Sequence, residues 1–329
     1  MPFSDILGHQ RQLETLRRGL EKQRLHHAYL FLGPEGVGKG SVALSLAMAI
    51  HCTERDFDSC GQCPSCLRIS AGNHPDVRLI EPLVGKKEIG IQQIRDLERA
   101  LVFRSFSGRK KVVILDPADL MNYHAQNALL KTLEEPPGDS LLILVAKNTG
   151  GLLATLLSRC LRLSFGFPPV ELVAEVLVRR KGMSMEQAKL LAALTMGSLG
   201  EALTSDTQQL LDQRREWIER LASLTRGDYR GVMALAEEMG GDREECLKFL
   251  RCIEGWYRDL LIYQIGGWKE EIRNIDMAER IQEQAALYRI DHTLSALARA
   301  AQVAREIQRN YNRRLALENF LMKTVFSGL

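Results

Sequence analysis

With 329 residues the chain is long enough for two or three domains and an ample buried core. An apolar fraction of 45% and a charged fraction of 26% are ordinary for a soluble globular protein. The 44 basic residues against 41 acidic ones leave +3, too mild a charge to signal nucleic-acid binding by itself. The opening MPFSDILGHQRQ carries no signal-peptide h-region, and no apolar run approaches membrane-spanning length, so a cytoplasmic setting is expected.

In chain order, Ile6, Leu13, Leu16 and Leu20 give Asp5–Gln23 a helical spacing. Ala28–Leu32 reads as a strand, Gly33–Gly38 as a glycine-rich loop, and Lys39 as the mouth of a helix that continues through a buried Val42–His51. Gly33, Gly38 and Lys39 meet the pattern G-x-x-x-x-G-K in the strand–loop–helix context that confirms a phosphate loop. In such a loop, backbone N–H groups surround phosphate oxygens, the helix adds its N-terminal partial charge, and the lysine supplies a point charge. The next residue should be Ser or Thr, whose hydroxyl holds Mg²⁺. Here it is Gly40, with Ser41 one position late and about 100° further round the helix. The candidate cofactor-binding set is therefore Gly33, Gly36, Gly38, Lys39, Gly40 and Ser41, a degenerate phosphate loop at which ATP or ADP binding is left open.

A polar, cysteine-rich stretch then interrupts the alternation of strands and helices. Cys52, Cys60, Cys63 and Cys66 form C-x7-C-x2-C-x2-C, the ligand count of a structural four-cysteine zinc site, with Gly61 permitting a tight turn between ligands. The region has too few apolar residues for a core of its own, so a metal is its expected organiser. An iron–sulfur cluster, redox cysteines and inert thiols are the alternatives. Cys160, Cys246 and Cys252 sit in apolar-periodic text and read as small buried side chains.

Val77–Glu81 reads as a strand, Ile91, Ile94, Leu97 and Leu101 mark one helix face, and Val112–Leu115 is a strand buried on both faces. Asn122–Glu135 is a helix stopped by Pro136–Pro137, Leu141–Ala146 another buried strand, and Leu161–Phe165 a fifth. This alternation predicts a doubly wound α/β parallel sheet with ligands at the carboxyl ends of the strands, where Leu32, Asp116 and Ala146–Lys147 fall. Beyond Phe167-Pro168-Pro169 the text is helical. Val170–Arg180 is a helix, Ser184 and Gln187 form a capping box, and the Gly197–Gly200 turn precedes another helix. The remainder, broken near Gly240–Gly241 and Gly266–Gly267, reads as a helical bundle with Trp217, Trp256 and Trp268 in its seams. The expected domains are 1–167, 168–206 and 207–329. The run Arg109-Lys110-Lys111 reads as a solvated turn rather than a DNA contact.

Several stretches together resemble one family. VVILD at Val112–Asp116 is similar to a Walker B strand, AQNALLKTLEEPP at Ala125–Pro137 to a string typical of sliding-clamp loaders, and Ser158-Arg159-Cys160 to their arginine-finger motif. Strongly over residues 1–206, the chain resembles the delta-prime family of bacterial DNA polymerase III clamp-loader subunits. That resemblance implies an AAA+ P-loop core with a four-cysteine zinc-module insertion, a small helical lid and a C-terminal helical collar that forms a five-subunit ring. The implied partners are the gamma/tau motor and delta-type subunits, the sliding clamp, and primed DNA through the assembly. Against the family's active members, Gly40 lacks the metal-binding hydroxyl, Pro117 replaces the glutamate that orients water, Ala146 replaces a polar sensor, and Gly200 replaces a lid arginine. Phosphoryl transfer needs those parts together, so the resemblance implies a subunit without hydrolysis of its own. Arg159 would then act in trans on a neighbour's nucleotide; the plain alternative is a solvated arginine at a helix end. Two other functional readings stay open: an active motor ATPase of the same loader, and a zinc-dependent DNA-binding module.

Overall fold

The computed structural model describes residues 1–195, 197–204, 206–267, 272–308 and 311–326; Trp268 lies outside them. Two compact units are present: residues 1–173 with 197–201, and residues 174–196 with 202–329.

In the first unit, five parallel strands, β1 (Ala28–Leu32), β2 (Val77–Ile80), β3 (Lys111–Leu115), β4 (Ser140–Ala146) and β5 (Leu161–Ser164), lie in the order β2-β3-β4-β1-β5. The register pairs Leu32 with Ala146 and with Ser164, and Leu115 with Leu144, so the carboxyl ends of β1, β3 and β4 share one edge. After Lys111 and Ser140, β3 and β4 are continuous apolar runs because both faces are covered. On β1, Tyr29 and Phe31 pack with Leu16 of α1 (Gln10–Glu21) and Val42, Leu46 and Met48 of α2 (Lys39–His51). Ala28 and Leu30 face the other way, toward Ile94 and Leu97 of α4 (Ile91–Val102) and Ala125 and Leu129 of α5 (Tyr123–Glu134). The expected fold class is the observed one: a doubly wound parallel sheet with a phosphate loop after β1, a short cysteine-bearing helix α3 (Pro64–Ser70) inserted after α2, and helices beyond.

One element is shorter than its periodicity. The helix expected over Asp5–Gln23 begins only at Gln10, because Gly8 and His9 take left-handed backbone at φ 69° and 59°. The Ile6 spacing belongs instead to a segment led by a single 3-10 turn at Phe3–Asp5.

A short helix α6 (Ala154–Leu157) leads to β5, and α7 (Val170–Lys181) follows it. The second unit contains α8 (Met185–Leu194), α10 (Thr207–Ser223), α11 (Tyr229–Met239), α12 (Arg243–Gln264), α13 (Ala278–Leu287), α14 (Ile290–Gln308) and α15 (Arg313–Phe326), while α9 (Leu199–Thr204) begins in the 197–201 turn. The start of α8 is capped as the sequence predicts: Ser184 Oγ accepts from Gln187 N at 3.2 Å, and Gln187 Oε1 accepts from Ser184 N. Asp206, Asp228 and Asp242 cap α10, α11 and α12. The bundle core holds Trp217 edge-on to Phe249, with Trp256, Leu260 and Phe320.

Candidate functional site

Three groups converge where β1, β3 and β4 end: the phosphate loop, Asp116 and Lys147. The loop has the glycines it needs. A side chain at Gly33 would meet the Phe165 carbonyl at 2.0 Å, and one at Gly36, which sits at φ 75°, would meet Ser198 Oγ at 2.1 Å. The interior of the loop is occupied by its own groups. Lys39, buried, donates from Nζ to the carbonyl oxygens of Gly33 at 2.7 Å and Pro34 at 2.6 Å. His9 Nε2 is 2.8 Å from Val37 O, and Gly200 N donates to Gly36 O at 3.3 Å, so the 197–201 turn lies on the loop. Ser41 is exposed, one residue beyond the position a metal-binding hydroxyl would need.

Asp116 fills the space left by the missing hydroxyl: a Cβ on Gly40 would lie 2.7 Å from Asp116 Oδ2. Burial pushes the Asp116 carboxyl up to about 6 against the pull of Lys39, and Glu81, Asp119 and Glu35 push it further up. Burial lowers the Lys39 ammonium, partly offset by Asp116. Pro117, next in line, has neither carboxylate nor N–H. Ala146 is buried and apolar; beyond it Lys147 Nζ pairs with Glu35 Oε2 across the loop at 3.3 Å, both well exposed. The site thus holds a lysine already hydrogen-bonded and an acid whose burial disfavours its charge, followed by a proline.

The four cysteines predicted as ligands come together. The sulfurs of Cys52, Cys60, Cys63 and Cys66 all lie within 4.8 Å of one another. A tetrahedral metal with bonds of about 2.3 Å needs sulfurs about 3.8 Å apart, so this cluster can hold a metal ion. Gly61 takes φ 72° in the turn between ligands, as expected, and Cys63 caps α3, its sulfur accepting from Cys66 N at 3.5 Å. Cys63 N donates to Cys60 Sγ at 3.1 Å and Cys60 N to Cys52 Sγ at 3.4 Å, bonds that orient and stabilise thiolates. Burial works against a Cys63 thiolate, but N–H donors from Thr53 and Cys66 bring that thiol down to about 6. Burial pushes Cys66 up to about 12. Cys160, Cys246 and Cys252 are separate and buried, as small apolar-type side chains are, and desolvation raises their thiols to about 11, 11 and 12.

The basic run at the start of β3 does more than face solvent: exposed Arg109 donates from Nη1 at 2.7 Å to each of the carbonyls of Ile50 and Cys52, and Lys111 Nζ donates to Ala100 O at 2.6 Å. Arg109 therefore staples the base of the cysteine insertion to the sheet. A second anchor was missed altogether. Buried Asp76 accepts from Phe106 N and Ser107 N at 2.7 and 2.8 Å, and the ring of His74 packs on His51, next to Cys52 of the cluster. The nearest signal in the sequence is the His74-Pro75-Asp76 turn just before β2.

Arg159 lies after α6, half-buried. Its Nη1 donates to Thr155 O at 2.7 Å and Ser158 Oγ at 3.2 Å, and its Nη2 to Glu134 Oε1 at 2.5 Å. It is held on the surface of the sheet unit and makes none of the hydrogen bonds within the phosphate loop.

Residues 8–168 match the family model described as DNA polymerase III, delta subunit. A DNA polymerase III subunit delta' of Pseudomonas aeruginosa is 35% identical over 260 residues, covering 78% of each chain. The subunit delta' of Bacillus subtilis is 31% identical over 281 residues, 84% of this chain and 83% of that one. The subunit tau of Escherichia coli is 35% identical over 214 residues, 63% of this chain but 33% of that longer one.

Proposed function

The chain belongs to the family of DNA polymerase III delta-prime subunits, and we propose that it works as a non-hydrolysing member of the clamp loader, helping to place the sliding clamp on primed DNA. The observation that carries this reading is the state of Lys39. Its ammonium is spent on the carbonyls of its own loop, beside an Asp116 that fills the place of the missing hydroxyl. With Pro117 unable to orient water, metal, nucleophile and cation are all compromised at one site. Nucleotide affinity is expected to be weak and little dependent on Mg²⁺. The AAA+ core of residues 1–167 would be followed by a lid of 168–206, and residues 207–329 would be the collar that meets gamma/tau and delta-type subunits. The four-sulfur cluster would hold structural zinc: all four ligand positions are protein thiolates, which closes the site to catalysis. The compartment would be the cytoplasm, where thiols stay reduced.

Arg159 would supply an arginine finger to a neighbouring subunit's ATP. Its planar guanidinium suits phosphate oxygens, and a finger in trans is worth ~10³–10⁵ in turnover. The tau relative favours a second reading, a motor ATPase, but that reading needs the hydroxyl and carboxylate absent at Gly40 and Pro117. The test is reconstitution with the motor and delta-type subunits, measuring DNA-stimulated ATPase and clamp loading at equal assembly. Arg159→Ala should assemble normally and lower both rates, and Arg159→Lys should restore only part. Steady ATP turnover by the pure chain, or unchanged loader rates with Arg159→Ala, would overturn the proposal.

A further inference from the structure

The guanidinium of Arg159 is oriented by a residue from another element. Glu134 ends α5, and its Oε1 accepts from Arg159 Nη2 at 2.5 Å, while Thr155 O and Ser158 Oγ accept from Nη1. The Arg159 side chain is 33% exposed and that of Glu134 51%, so the pair sits at the surface. Exposed pairs add little to stability, because solvent screens them and two long side chains must be ordered. What such a pair does achieve is that ordering.

A guanidinium has five N–H donors, two on each Nη and one on Nε. Three are engaged by Thr155, Ser158 and Glu134. One Nη2 donor and the Nε donor have no acceptor among the described residues. A fork fixed on one side and open on the other is pre-organised for a phosphate oxygen, since the rotamer freedom of a long arginine has been removed beforehand. We infer that Glu134 is a positioning residue for Arg159, holding the guanidinium so that its remaining donors meet a phosphate group of a nucleotide bound by the adjacent subunit. This inference rests on the reading of Arg159 as a finger in trans.

Two properties follow. Removing the acceptor frees the guanidinium to rotate, which lowers the neighbour's kcat while leaving its KM for ATP nearly unchanged, because orientation matters most in the transition state. Keeping an acceptor without the charge preserves most of the orientation, so Glu134→Gln should behave far better than Glu134→Ala. A carboxylate that merely competed with phosphate for Arg159 would give the opposite sign, with both substitutions raising turnover.

The experiment uses the whole reconstituted loader with ATP and primed DNA, at equal assembly and after thermal melts of each variant chain. Glu134→Ala should lower kcat by about 10–100-fold, as misplacement of a reacting group does, and Glu134→Gln should recover most of the loss. In an Arg159→Ala background Glu134→Ala should have no further effect. Unchanged or raised turnover in Glu134→Ala, or an equal additional loss in the Arg159→Ala background, overturns the inference. If Arg159→Ala itself leaves turnover unchanged, the finger reading fails first; if Arg159→Ala is slow and Glu134→Ala is not, only the positioning role fails.

Discussion

Asp116 lies beside Gly40 in surroundings that oppose its ionisation. Its carboxyl rises from 3.8 to about 6 by burial, so over that interval the folded chain binds more protons than the unfolded one. Because the folded pKa lies above the unfolded one, this group's contribution to stability is highest below pH 3.8 and falls as pH rises through 6. Asp116→Asn should therefore stabilise the chain at pH 7.5 by about 1–2 kcal/mol, discounted from the full shift because the group keeps some solvent. In urea melts the advantage should shrink steadily from pH 7.5 to pH 4.5; a constant gap would mean that packing, not ionisation, causes it. Gly40 gives the companion prediction. Gly40→Ser returns the hydroxyl but sets a Cβ 2.7 Å from Asp116 Oδ2, which must swing away. A loss of about 1 kcal/mol is expected, with no ATP turnover, because Pro117 still offers no base. Mg²⁺-dependent hydrolysis by the pure variant would show that the hydroxyl was the only part missing.

At the scale of elements, α10 and α12 are joined through a buried polar knot. Arg214 on α10 is almost wholly buried and donates to Asn274 Oδ1 at 2.5 Å and to Asp276 Oδ2. Asp259 on α12, also fully buried, accepts from Asn274 N and Nδ2, both at 2.7 Å, and from Arg273 N at 3.0 Å. Taking one partner from such a network strands the others without water. Arg214→Ala should cost about 3–5 kcal/mol, read as a lowered urea midpoint by tryptophan fluorescence. Arg214→Met should recover part of the packing without the charge. If Arg214→Ala melts like the wild type, the knot is not holding these helices.

The whole molecule has separate cores on the two faces of its sheet and another in its helical unit, and the described tryptophans, Trp217 and Trp256, belong to the last. The cysteine cluster belongs to the sheet unit, where Cys52, Cys63, Cys66 and Ile69 join the core under α2. Stripping a bound metal should therefore loosen the insertion while tryptophan fluorescence stays unchanged. The check is chelation of the purified chain followed by native thiol titration and an emission scan. Four thiols should become reactive, while Cys160, Cys246 and Cys252 stay protected by burial. Zinc content near zero with the four thiols already reactive would rule out a metal as the organiser of the insertion. A tryptophan shift on chelation would show the cores to be coupled.

Within single elements, short stretches of the chain were enough to read the structure. Short apolar runs placed five strands and 3.6-residue spacing placed helices between them, because both are properties of a short segment. Ser184 with Gln187, Gly61, the Gly33–Lys39 loop and the spacing of Cys52, Cys60, Cys63 and Cys66 were legible for the same reason: each motif closes over a few residues. Tertiary structure decided what those motifs touch. Arg109 reaches carbonyls 59 and 57 residues away, turning a basic run into a staple. Asp116 meets Gly40 because the parallel register brings the ends of β1, β3 and β4 to one edge, and Gly200 meets Gly36 because the 197–201 turn returns to the loop. Glu134 meets Arg159, 25 residues on, at the junction of α5 and α6 with the sheet. No periodicity encodes such pairs: they depend on chain crossovers, strand register and the space left when a side chain is missing, and those exist only once the chain has folded.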